Sequence, residues 1–149
     1  MTQNLRVTKD QEGNSVKYYL PNEDSINASI FGHLYDYEVA CKVCPEGWRL
    51  PTNDDWEELQ ATVGPLTTFY KEPGFWKNEL ITNPSAFAAR PGGYGNTEHN
   101  NRFRQNTLFW SKTKEDEHFA WTFIVESDKD SVRMASQHPE YAFSVRCVK

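Results

Sequence analysis

Four histidines, at positions 33, 99, 118 and 138, and three cysteines, at 41, 44 and 147, are the residues of this 149-residue sequence best suited to proton transfer, nucleophilic attack or metal ligation. No two histidines stand four apart, the spacing that would set both on one face of a helix as ligands. His33 sits beside Tyr35 ahead of a helix-period stretch, where packing or hydrogen bonding is its expected role. His99 and His118 fall in polar stretches and read as surface residues. Cys41-Lys42-Val43-Cys44 has the spacing of a redox or zinc motif, but no second pair follows to complete a zinc site and no βαβ pattern surrounds it. Three cysteines leave one over whichever two join, so their number leaves the redox compartment open. Ser111 and Ser144 lack the Gly-x-Ser-x-Gly elbow of a nucleophile and read as structural. The carboxylate pairs Asp54-Asp55 and Glu57-Glu58 belong to the start of a helix, where its dipole favours them, and Glu115-Asp116-Glu117 belongs to a solvated turn. These residues nominate no catalytic group, no metal site and no cofactor.

A binding site without metal would combine rings that stack with polar groups that orient a ligand. Two irregular polar stretches hold that mixture. The first, about 94–106, follows Pro91-Gly92-Gly93 and offers Tyr94, Asn96, Glu98, His99, Asn101, Arg102 and Arg104. The second, about 133–140, offers Arg133, Gln137 and His138. Irregular segments this long in compact domains are usually functional or mobile, and an ordinary solvated loop is the competing reading. Trp110 and Trp121 lie in alternating runs and, with Trp48 and Trp56, are expected in the core rather than in contact with a ligand.

The elements that must position these loops are helices first and strands later, an α+β class in one domain over 1–149. Residues 1–30 read as a short strand or hairpin, through Val16, Tyr18 and Leu20, followed by loop. Leu34, Tyr37, Val39, Ala40 and Cys44 recur with helical period over 35–44, and Pro45-Glu46-Gly47 ends the run. A second helix is capped by Thr52 or Asn53, carries four acids near its start, ends at Gly64-Pro65, and places Trp56, Leu59 and Val63 on one face. Beyond residue 80, Phe119, Trp121, Phe123 and Val125 alternate with smaller residues and predict a strand with one aromatic face. A turn at Ser127-Asp128-Lys129-Asp130 leads to Val132-Arg133-Met134, and Tyr141, Phe143, Val145 and Cys147 alternate in a last strand. The two ends of the chain are expected to lie together. Aromatic content of 14% against 38% apolar residues suggests a core of few, large rings. A net charge of -5, with both signs interleaved, disfavours nucleic acid as a partner. No apolar run approaches the length of a membrane span, and the opening residues lack the apolar stretch of a signal peptide, so the sequence reads as a soluble chain or a piece of a longer precursor.

Several of these segments are recognisable together: Phe31-Gly32-His33-Leu34-Tyr35, Cys44-Pro45-Glu46-Gly47-Trp48-Arg49-Leu50-Pro51, Trp56, Phe87, Pro91-Gly92-Gly93-Tyr94, Phe109-Trp110-Ser111 and Phe143-Ser144-Val145-Arg146-Cys147-Val148. In this order they resemble the Fibrobacter succinogenes major paralogous domain, a family of surface and secreted bacterial proteins. The resemblance runs over about residues 2–149. It implies a C-type-lectin-like fold, related to formylglycine-generating enzymes, with two helices in the N-terminal half flanking a small antiparallel sheet and long irregular loops. It also implies a disulfide between Cys44 and Cys147 with Cys41 as a spare thiol; three buried reduced cysteines are the alternative. The copper-binding cysteines and iron-binding histidines of enzymes with related folds have no visible counterparts. The Glu-Pro-Asn, Gln-Pro-Asp and Trp-Asn-Asp tripeptides of calcium-dependent lectins are absent. The sequence departs from the family pattern at Ala88, at Ala142 and over 134–140, and the last departure suggests a different ligand if that loop makes contact. The resemblance therefore implies a monomeric, extracellular or cell-surface recognition module that binds a glycan or protein ligand without calcium. An enzyme related to the formylglycine-generating group and a purely structural surface domain are the alternatives.

Overall fold

Capped helices open the chain, and the caps set their lengths. The computed structural model describes residues 1–76, 81, 83–96 and 102–149. Helix α1, Ser25–Phe31, begins where the Asp24 side chain accepts from the Ile26 amide and ends at Gly32, whose φ of 85° is open to a residue without Cβ. Helix α2, Tyr37–Ala40, begins where Asp36 accepts from the Val39 amide. Helix α3, Asn53–Val63, has a full capping box: Thr52 accepts from the Asp55 amide while the Asp55 carboxylate accepts from the Thr52 amide. The described residues thus hold three α-helices, where two were expected.

Two of these differ from the sequence pattern. The segment of α1 was expected to be loop. The helix expected over 35–44 is a single turn, because the cap at Asp36 delays its start and the Lys42 amide closes on the Val39 carbonyl at 2.9 Å, which turns the chain out towards Cys44. Val16–Leu20 likewise forms no strand: Lys9 bridges Ser15 around a turn, and Tyr19 bridges Leu34.

Strands β1 (Asn106–Lys114), β2 (Ala120–Glu126) and β3 (Arg133–Gln137) form an open antiparallel sheet in the order β1-β2-β3. Phe109 pairs with Phe123, and Phe123 with Met134. Alternation then gives the sheet two faces. Asn106, Leu108 and Trp110 share one with Glu126, Ile124, Ala120, Arg133 and Gln137. Phe109, Phe123 and Val125 lie on the other. Each face has its own core. Leu108, Trp110 and Ile124 pack with Tyr35, Leu50, Phe143 and Val145. Phe109, Phe123 and Val125 pack with Trp56, Tyr70 and Trp76, the Trp56 ring stacked on Phe123 at 4.8 Å and 4°. Burial on both faces replaces the single aromatic face expected over 119–125. Phe119 lies outside the strand and is exposed, and Trp121 is half-buried, whereas Trp110 and Trp56 are in the core and Trp48 packs half-buried against it.

The terminal segment 141–148 also departs from expectation. It makes isolated bridges instead of a ladder: Ala142 with Gly95, Phe143 with Tyr35, Ser144 with Phe109, and Val148 with Arg49. Ala142 through Cys147 are all buried, so both sides of this extended chain face protein. Cys44 and Cys147 form a disulfide with a Cα–Cα distance of 5.8 Å, tying the exit of α2 to this segment. The Met1 amino group reaches the Cys147 carbonyl at 3.1 Å, so the two ends meet as expected.

Candidate functional site

A cleft of about 330 Å³ opens on the first face of the sheet, where β1, β2 and β3 meet the terminal segment and the loop after Pro91. Register builds it from the bottom. Leu108, Ile124 and Phe143 supply apolar floor, and Asn106 and Glu126, directly opposite each other on β1 and β2, form one end. Arg133 and Gln137 stand two positions to either side of Ala135 on β3 and so project to the same face. Tyr94 and Tyr141 flank the opening, their ring centroids 6.4 Å apart, with Tyr94 also 6.2 Å from Phe143.

Tyr94 is held by its neighbours. The Gly93 amide donates to the Asn106 carbonyl at 2.9 Å and the Gly95 amide to the Ala142 carbonyl at 2.8 Å, pinning the residue between β1 and the terminal segment. A Cβ at Gly95 would meet Tyr19 Cβ at 3.0 Å, tighter than ordinary packing, so glycine eases the loop's close approach here.

Glu126 organises the polar end. Its side chain is 5% exposed, and Arg133 Nε donates to Oε2 at 3.0 Å while Arg102 Nη1 donates to Oε1 at 3.4 Å. Arg102 Nη2 lies 3.6 Å from the Asp128 carboxylate. A carboxylate so engaged orients two planar guanidiniums at the cleft wall. Asn106 Oδ1 is buried with no partner among the described residues, a vacant acceptor beside that charged group. Glu126 is the one carboxylate lining the cleft among the described residues.

Of the ten residues nominated by sequence, the structure brings Tyr94, Arg102, Arg133 and Gln137 into this cleft. It places Asn96, His138 and Arg104 elsewhere. Asn96 donates through Nδ2 to the Glu140 carbonyl and borders a separate groove with Lys17, Asp36 and Lys114. His138 is exposed, edge-on to the Phe119 and Tyr141 rings, and 3.8 Å from the Glu140 carboxylate. Arg104 is exposed and lies over the Phe103 ring at 5.7 Å. Glu98, His99 and Asn101 lie outside the described residues. Sequence reasoning missed Glu126, Asn106, Tyr141 and Phe143. Glu126 had a signal: it stands in phase with Ile124 at the end of an apolar strand, on the face turned inward.

The remaining reactive side chains have structural surroundings. His33 stacks on Tyr18 at 4.1 Å, with burial holding its imidazole below its ordinary value and the Val7 carbonyl opposing that shift. Ser144 Oγ accepts from Asn4 Nδ2 at 3.3 Å, and Ser111 Oγ accepts from the Thr113 amide at 3.2 Å. Cys41 is exposed as a residue, yet its sulfur is desolvated enough to push the thiol above its ordinary value despite the nearby Tyr37 hydroxyl and Lys112. No three His, Cys, Asp or Glu side chains cluster as metal ligands among the described residues. No helix there is long and apolar enough to cross a membrane.

Comparison with curated proteins finds no match to the chain, and comparison with solved structures finds none either. The sequence profile of the Fibrobacter succinogenes major domain does match, over residues 1–149. With its motifs in order and its terminal cysteine bridged to Cys44, the chain belongs to the Fibrobacter succinogenes major domain family.

Proposed function

We propose that this domain is a non-catalytic recognition module of a bacterial surface or secreted protein, with a C-type-lectin-like architecture, and that its cleft binds a glycan without calcium. The observation that carries this reading is the cleft itself. Tyr94 and Arg102, from the stretch after Pro91, and Arg133 and Gln137, from strand β3 where an irregular stretch was expected, border a single concavity with an aromatic rim. Sugar rings present apolar faces that stack on aromatic side chains and hydroxyls that pair with guanidinium and amide groups. Asn106 Oδ1, buried without a partner among the described residues, adds an acceptor next to that surface. The Cys44–Cys147 disulfide is compatible with an oxidising, extracellular setting.

A glycan array followed by calorimetry with the best-bound sugar tests the proposal, a peptide panel serving as the contrast. Tyr94→Ala and Arg133→Ala are each expected to weaken binding about 10-fold or more, as loss of a stacking or charge-assisted contact does, with affinity unchanged by chelator. Silence across the array, or affinity indifferent to both substitutions, refutes glycan binding at this cleft. Capture by the peptide panel alone would make the ligand a protein.

A further inference from the structure

Arg146 is a buried cation with neutral partners. The residue is 3% exposed, and its guanidinium donates to Asn4 Oδ1 at 2.8 Å, to the Ala88 carbonyl at 2.8 Å and to the Phe87 carbonyl. It lies 4.2 Å from the Phe87 ring centroid and 5.2 Å from that of Phe109. A buried ion ordinarily has a counter-charge, because desolvation otherwise disfavours its charged form. Here burial pushes the guanidinium down to about 9, Glu72 opposing the shift and Arg90 adding to it.

Two further arginines border the same place. Arg6 and Arg90 border, with Arg146, a small cavity whose wall also includes Asn4, Ser29 and Gly32. Its volume is about 20 Å³, room for one water-sized group. Among the described residues none of those lining it carries a carboxylate. Glu72, the nearest acid in the cluster, is engaged by Arg90 through Nε at 2.5 Å and Nη2 at 2.9 Å. Arg6 donates to the Ser29 carbonyl at 2.8 Å and is exposed, so the cavity has a route to solvent on that side. Three arginines with one carboxylate among them create a field that favours an anion, and room for one water-sized group favours a small one.

We propose that this cavity binds a single monatomic anion, chloride in ordinary salt, held among Arg6, Arg90 and Arg146 as the counter-charge to the buried guanidinium. The site shares no lining residue with the sheet-face cleft and is independent of the glycan reading. It stabilises the terminal segment in which Arg146 lies and has no part in ligand recognition.

The test melts the intact domain in sodium chloride, sodium bromide and sodium gluconate at equal ionic strength. With halide well above its dissociation constant, the midpoint in chloride and bromide is expected about 3 °C or more above that in gluconate. Chloride-35 resonance broadening that bromide reverses is the direct readout of binding. Arg146→Met removes a core side chain and is liable to unfold, so the decisive variant is Arg6→Gln, at an exposed position; it is expected to shrink both the halide-specific shift and the broadening. Bromide-soaked crystals should show an anomalous peak between Arg6, Arg90 and Arg146. Coincident melts in chloride and gluconate, or a halide effect undiminished in Arg6→Gln, overturns the proposal; so does a cavity without the bromide peak, since it then holds only water.

Discussion

Replacing Cys44 and Cys147 together by alanine removes the one covalent tie between the helical half of the chain and the terminal segment. The two cysteines are separated by 103 residues in sequence. Opening a loop of that length returns about 4–5 kcal/mol of conformational entropy to the unfolded chain. Both side chains are buried, at 2% and 0% exposure, so losing the sulfurs adds about 1 kcal/mol of forfeited packing. A total near 5 kcal/mol is a large part of the roughly 5–15 kcal/mol that holds a domain folded, and it corresponds to a fall in Tm of about 10–20 °C for a chain of this size. Guanidinium unfolding followed by the fluorescence of the five tryptophans measures the difference directly, and intact mass before and after reduction checks that the parent gains two hydrogens. If the double variant still folds, its cleft should bind more weakly than the parent's, because Tyr141 and Phe143 lie on the released segment. A double variant within about 1 kcal/mol of the parent would refute the loop-closure reasoning, and an unchanged mass on reduction would mean three thiols and no bridge.

At Gly32 an added Cβ would meet Asn4 Cβ at 2.7 Å and the Leu5 carbonyl oxygen at 2.8 Å, at a φ of 85°; Gly32→Ala should therefore cost about 2–3 kcal/mol by chemical denaturation. The Asp55 carboxyl is held well below the usual carboxylate range by Arg49 first, then by the Thr52 amide and hydroxyl, against the opposing effect of burial. A carboxyl depressed in the folded state contributes stability that is full above its unfolded value, near 4, and is lost as pH falls below it. Asp55→Asn should therefore cost about 1 kcal/mol at pH 7, allowing for an Arg49 side chain that is 47% exposed, and the two stability curves should draw together as pH falls from about 4 through the depressed folded-state value. Cys41→Ser should leave stability within about 0.5 kcal/mol, because Cys41 is an exposed residue outside the bridge, and a larger loss in a parallel melt would give its thiol a structural role.

Legibility in the sequence followed how local the physics was. Helix α3 could be read because its cap, its acids and its terminal glycine act within a dozen residues. Helix α1 could not: Ser25-Ile26-Asn27-Ala28-Ser29-Ile30-Phe31 has weak helix formers and no apolar stripe, with Ile26 70% exposed and only Ala28 and Phe31 buried. It forms because Asp24 caps it and Phe31 packs edge-on to Phe75 and Phe103 at 5.9 and 5.0 Å. In the cleft, polar residues grouped in irregular stretches pointed to Tyr94, Arg102, Arg133 and Gln137. Polarity alone could not separate these from Arg104 and His138, whose side chains point elsewhere. Glu126 was hidden for a different reason: its position depends on strand register, and its partners stand 24 residues before it and 7 after it in sequence.

The terminal segment defied the alternating pattern that first suggested it, and the reason bears on how the domain works. An alternating strand with one wet face would have left Ser144 and Arg146 in solvent. Instead their side is closed by Asn4, whose Nδ2 donates to the Phe31 carbonyl at 2.8 Å and to Ser144 Oγ, while its Oδ1 accepts from Arg146 Nε. One asparagine therefore couples the start of the chain, the end of α1 and the polar side of the terminal segment. Tyr141 and Phe143 on that segment border the cleft, Ser144 and Arg146 face Asn4, and Cys147 closes the disulfide. Because the segment has isolated bridges and no ladder, its position relies on these side-chain ties. The geometry of the aromatic rim is thus set by groups well away from the cleft, which allows residues around the opening to vary without loosening the wall that presents them.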